Sequence, residues 1–141
     1  MYFDASSGVE VPCPDPGAGL YVRSSRGALA RVSLPPDCLA FQIGETAQVH
    51  SGGALSATPH CVRAPAPGPG RAAVARAALA VFMEPEWSAP MAAPGGTGEE
   101  EVRAGARGAL LPPGVATLDS RWEGGAQDFG AFTTATLGAY Y

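Results

Sequence analysis

Nineteen glycines and fourteen prolines punctuate 141 residues, so regular elements have little room between breakers. Proline removes a backbone donor, and glycine loses the most conformational freedom on ordering. A chain this rich in both is expected to be built from short elements and many turns. The length suits one domain with a modest core. Hydrophobic residues make up 46% of the chain, but much of that is alanine, which buries little area. The large side chains left to form a core are Leu20, Val22, Leu39, Phe41, Ile43, Val49, Leu55, Val62, Leu79, Val81 and Phe82. That is thin for an independent β domain.

The charge pattern narrows the partners. The net charge is −4, lysine is absent, and the nine cations are arginines scattered along the chain. There is no basic patch, so nucleic-acid binding is not expected. No apolar run approaches the length of a membrane span, and MYFDASSG does not read as a signal peptide. Cys13, Cys38 and Cys61 are odd in number and lack CxxC spacing. This argues against both a disulfide framework and a zinc knuckle. Free thiols fit a reducing compartment, and a cytoplasmic location is expected.

Along the chain, residues 1–18 are turn-rich. Gly19-Leu-Tyr-Val-Arg23 and Ala28–Leu34 read as a hairpin around Ser24-Ser-Arg-Gly27. Cys38–Ile43, Thr46–His50, Leu55–Val62 and Ala73–Phe82 are expected as further strands, with a tight turn at Ser51-Gly-Gly53. The alanine content of 73–82 also suits a helix, but Val81-Phe82 favour a strand. The Pro/Gly-rich stretch 86–119 is expected to be a surface loop or disordered insert. In 120–141, Phe129, Phe132, Leu137 and Tyr140 fall roughly on one helical face. A C-terminal helix capped by Gln127 or Asp128 and docked on the sheet is expected.

Chemistry centres on His60 and Arg76. A lone histidine in a β segment is more often structural than a ligand. The alternative is a metal-binding imidazole. His50 precedes a turn and is expected to be exposed, and nothing in the spacing selects a ligand from Asp4, Asp15, Asp37 or Glu45. Arg76 lies in an apolar run, and a buried arginine is costly unless paired. Either it faces solvent on an edge strand, or its planar fork holds a small carboxylate bidentately. Held on neighbouring strands of one small β core, the two residues would form half of a metal and carboxylate site.

An ordered set of segments carries a resemblance: Gly19–Arg23, Val32–Pro36, Leu39-Ala-Phe-Gln-Ile-Gly-Glu45, Ser51-Gly-Gly53, Pro59-His60-Cys-Val62, then Arg76 and Phe82. It resembles the C-terminal half of the isopenicillin N synthase-like Fe(II)/2-oxoglutarate-dependent dioxygenases, over about residues 17–85. Phe129-Gly-Ala-Phe132 with Tyr140-Tyr141 is more weakly similar to the family's final helix. The resemblance implies a mainly β fold, a partial double-stranded β-helix of the jelly-roll type. It implies 1–85 as the C-terminal part of the barrel, 86–119 as a loop and 120–141 as a helical segment. It further implies His60 as the distal histidine of an Fe(II) facial triad, Arg76 as the anchor for the far carboxylate of 2-oxoglutarate, and Phe82 in the pocket of a small organic substrate. The implied activity is hydroxylation or desaturation of that substrate by an oxidoreductase.

Three departures qualify the resemblance. No His-x-Asp occurs in the chain, the serine of the family's Arg-x-Ser is Ala78, and the residue after His60 is Cys61. Two of three iron ligands are therefore missing. The expectation is a fragment whose missing N-terminal half is its natural partner. The alternative from another class is a non-catalytic barrel relic used for binding or assembly.

Overall fold

The structure, a computed structural model, describes residues 1–35, 37–66, 68, 73–104 and 108–140. The expected loop at 64–70 and the glycine-rich stretch 104–108 lie partly outside these residues, as does Tyr141. Among the described residues six short strands form two antiparallel sheets: β1 (Tyr2–Asp4), β2 (Glu10–Val11), β3 (Gly19–Arg23), β4 (Leu29–Arg31), β5 (His60–Arg63) and β6 (Val74–Arg76). One sheet has the order β2-β1-β6 and the other β4-β3-β5. The expectation of a mainly β chain with a C-terminal helix holds at this level. Among the described residues the two sheets form no closed barrel.

The β3–β4 hairpin forms where its sequence predicts. Ser24 N–H donates to Ala28 O and Gly27 N–H to Ser24 O, with Gly27 at φ +80°. β1 turns into β2 through a serine-rich loop. There Asp4 Oδ1 accepts from the amides of Ser6 (3.0 Å) and Ser7 (2.8 Å) and from both hydroxyls. These donors favour the charged carboxylate and lower its pKa from 3.8 to about 2. Because the folded pKa lies below the unfolded one, this turn's contribution is complete above pH 3.8 and is lost as the pH falls through about 2. An NMR titration of the Asp4 carboxyl carbon should therefore have its midpoint near 2. A midpoint at the ordinary aspartate value would contradict the turn.

Two expected strands are absent. Thr46–His50 falls within a helix, α1 (Glu45–His50). Its end explains the glycines that follow. Gly52 N–H donates to Val49 O and Gly53 N–H to Gln48 O, the paired bonds of a Schellman motif, with Gly52 at φ +63°. A side chain at Gly53 would meet the Glu101 carbonyl oxygen at 2.7 Å, so this turn lets α1 approach α2 (Glu99–Ala104). Cys38–Ile43 has no regular structure, and Leu39 and Phe41 are exposed. An apolar run becomes a buried strand only when a neighbour covers it, and no described residue does so here. The long strand expected at 73–82 is regular only over Val74–Arg76. Its partner β1 begins at Tyr2, and the last rung is Ala77 N–H to Met1 O.

The core lies away from the strands. Val49, Met91, Val102, Leu118, Trp122, Phe129 and Phe132 form the buried cluster. Of the core expected from sequence only Val49 belongs to it, while Leu39, Phe41, Leu79, Val81 and Phe82 are among the exposed hydrophobics. The segment 86–119, expected as a surface loop, supplies Met91, Val102 and Leu118 and contains α2. α3 (Phe129–Gly138) is capped by Asp128, whose Oδ1 accepts from Ala131 N–H at 2.7 Å. It buries Phe129 and Phe132 in this cluster, whereas Leu137 and Tyr140 remain half exposed. It therefore docks on the α1–α2 cluster rather than on a sheet face. The strap before it is stitched on by Met91 N–H to Gln127 O, Phe129 N–H to Ala89 O and Gly130 N–H to Trp87 O.

Candidate functional site

His60 opens β5 at the edge of the β4-β3-β5 sheet, with Val22 as its cross-strand partner. Its side chain is exposed. Nδ1 lies 3.1 Å from Thr58 O, and the Gln42 amide nitrogen sits 2.7 Å from Nδ1 and 3.0 Å from Nε2. Thr58 O only accepts and the Gln42 amide nitrogen only donates, so Nδ1 cannot serve both. With the proton on Nδ1 the ring donates to Thr58 O and Nε2 accepts from Gln42; with the proton on Nε2, Nδ1 accepts from Gln42. In either tautomer Gln42 sits on the nitrogen that carries the lone pair, so a ligand at His60 must displace the Gln42 amide.

Arg76 ends β6 at the edge of the other sheet, directly opposite Tyr2. The expectation that His60 and Arg76 share one β core is corrected here: β5 pairs with β3 and β6 with β1, so the two residues sit in different sheets. Arg76 is exposed and has no ion pair or hydrogen bond with any described residue. Directly opposed residues present their side chains on one face, which puts Tyr2 beside it. The Tyr2 hydroxyl is shielded from solvent without a hydrogen bond of normal geometry. The neighbouring Cys13 thiol raises its pKa first, burial adds to this, and Arg76 and Arg31 oppose both. The Cys13 thiol itself donates to Asp15 O at 3.0 Å, so it offers the tyrosine only sulfur lone pairs.

Phe82 is 81% exposed. An open cavity of about 440 Å³ lies nearby, between Thr46, Ala47 and His50 of α1 and the segment Met83-Glu84-Pro85. Phe82 does not line it. His50 is exposed, as expected, and its Nε2 lies 3.0 Å from Pro90 O, so Nε2 carries the proton and donates.

The donor set can be tested against iron. Among the described residues no group of three His, Cys, Asp or Glu side chains converges. One imidazole falls short of the two histidines and one carboxylate of a facial triad. These residues do not fit an Fe(II) ion on their own. Cys38 and Cys61 are exposed free thiols on separate segments.

Sequence reasoning passed over the polar residues that organise the C-terminal cluster. Arg121, 7% exposed, donates to Glu45 Oε1 and Oε2 at 2.8 and 2.6 Å and to Thr136 Oγ1 at 2.8 Å. Gln48 donates to Val102 O (3.0 Å) and accepts from Ala57 N–H (2.8 Å), joining α1 to α2 and to the approach to β5. The Trp122 indole N–H donates to Met91 O at 2.8 Å, under the Arg103 guanidinium, 4.7 Å from the ring centroid. The available signal was Trp122 itself, since a tryptophan in a Gly-rich stretch brings the largest apolar area in its neighbourhood.

No family model, curated protein or solved structure matches the chain. Among the described residues no helix is long and apolar enough to cross a membrane.

Proposed function

We propose that this chain is the C-terminal part of an Fe(II)/2-oxoglutarate-dependent oxygenase acting on a small organic substrate. In this reading another polypeptide segment supplies the missing His-x-Asp. The observation that carries the reading is the arrangement of β5 and β6. Among the described residues, His60 and Arg76 stand on successive strands that lie in two different antiparallel sheets. Such crossing is what a two-sheet, double-stranded β-helix requires of its chain.

In this reading the chain's own residues bind and orient. In the tautomer with its proton on Nδ1, His60 offers the Nε2 lone pair once Gln42 swings away, and Thr58 O can accept from Nδ1. Arg76, free of protein anions, presents its guanidinium to a carboxylate of 2-oxoglutarate. Tyr2 stands opposite it on the same face. The substrate in this reading is a small organic molecule, with Phe82 in its pocket.

The test joins the chain to its upstream sequence and measures succinate release from 2-oxoglutarate. His60→Ala is expected to reduce release to background, and Arg76→Ala to raise the KM for 2-oxoglutarate. Turnover retained in His60→Ala would sink the assignment.

A second reading, non-catalytic binding or assembly on a barrel relic, is favoured by a different observation. The apolar segments 39–41 and 78–83 are exposed and make no backbone hydrogen bond among the described residues. A folded chain indifferent to Fe(II) and 2-oxoglutarate, even with its upstream sequence, would select it.

A further inference from the structure

We propose that a second copy of this chain covers segment 78–83, the two copies lying antiparallel about a two-fold axis that passes near Ala80. This goes beyond the oxygenase reading and stands without it. β6 is paired with β1 only as far as Met1. Past that rung the chain runs Ala78-Leu-Ala-Val-Phe-Met83 with no backbone hydrogen bond to any described residue. Its side chains are equally unsupported: Leu79, Val81, Phe82 and Met83 are all at least 80% exposed. Unpaired amides beside uncovered apolar side chains make this segment a template for strand addition.

The distribution of charge selects the occupant. No charged residue lies between Arg76 and Glu84, and neither of these two has an ion-pair partner among the described residues. In an antiparallel pairing centred on Ala80, Arg76 falls opposite the partner's Glu84, and Glu84 opposite the partner's Arg76. The same register sets Phe82 against the partner's Ala78 and Leu79 against the partner's Val81, so the bulkiest side chain faces one of the smallest. Opposite charges across an antiparallel pair stabilise it, and like charges oppose it. Any strand could take up the amides, but a second copy of this segment in this register neutralises both ends at once. The contact is isologous and closes at two copies.

Sedimentation equilibrium, with reductant present so that Cys38 and Cys61 cannot link copies, tests this. The wild-type mass is expected to rise with concentration towards twice 14.2 kDa. Glu84→Arg sets arginine against arginine twice and should weaken the dimer about tenfold. Adding Arg76→Glu should restore it. Both positions are exposed, and far-UV circular dichroism reports that each variant is folded. A monomer at every concentration overturns the proposal. So do an open-ended assembly, a dimer indifferent to Glu84→Arg, and a double variant that fails to recover. Because the readout is mass and not turnover, its failure leaves the oxygenase reading untouched, and loss of turnover in His60→Ala leaves the dimer untouched.

Discussion

Trp122→Ala is expected to remove about 3–5 kcal/mol of folding stability, the range for truncating a large aromatic in a packed core. The ring is 2% exposed and lies in the cluster that joins α1, α2 and α3. Alanine leaves a cavity there, strips the Met91 carbonyl of its donor and removes the face over which Arg103 sits. Against a total of about 5–15 kcal/mol for a domain, the loss is large enough to unfold much of the population. Urea denaturation followed by far-UV circular dichroism measures it. Trp122→Phe narrows the terms, because it keeps most of the apolar volume while removing the indole N–H. It should cost about 1–3 kcal/mol, the penalty for an unsatisfied buried acceptor. If the alanine variant lost under about 1 kcal/mol, this cluster would not be the centre of the fold.

Arg121→Met is expected to be nearly as damaging, at about 3 kcal/mol or more. The guanidinium does four jobs: it grips the Glu45 carboxylate of α1, donates to Thr136 of α3, donates to Thr117 O through Nε, and stacks over Phe132 at 5.5 Å. Its side chain is 5% exposed and that of Glu45 is 29% exposed. The pair is therefore asymmetric. Methionine at 121 fills space but leaves the carbonyls and the Thr136 hydroxyl short of a donor. Glu45→Gln is expected to cost less, because a glutamine oxygen still accepts from Arg121 and solvent reaches that end of the pair. A double-mutant cycle by thermal melting measures the coupling directly. Equal and additive losses would mean that the ion pair does not tie α1 to the C-terminal segment.

The elements legible in the sequence were those whose determinants are local. The β3–β4 hairpin carries its own turn residues, and α3 carries its own cap in Asp128. Thr46–His50 alternates polar and apolar residues, the pattern of a strand, yet it is helical in α1. What makes it helical acts from a distance: Gln48 is held by Val102 O and Ala57 N–H, and Gly53 packs on the Glu101 carbonyl. The core was misplaced for a related reason. Leu39, Phe41, Val81 and Phe82 look more apolar than the Pro/Gly-rich stretch that follows, yet the stretch folds back to place Met91, Val102 and Leu118 around Trp122. Of the candidate site, residue types were legible and their sheets were not. His60 and Arg76 can be picked out one by one, but only the pairing of β5 with β3 and of β6 with β1 shows that they lie in different sheets.

The separation of the buried cluster from the strands bears on how the chain holds its chemistry. Resistance to local opening follows packing, so amide protons on α3 and around Trp122 should be the slowest to exchange with solvent. The strand residues, none of them fully buried, should exchange early. His60 and Arg76 therefore ride on the least protected part of the molecule. A partner that lies along those strands raises their protection as it binds, and its affinity is lowered by the free energy spent in ordering them. Recognition and the assembly of the site would then be one event.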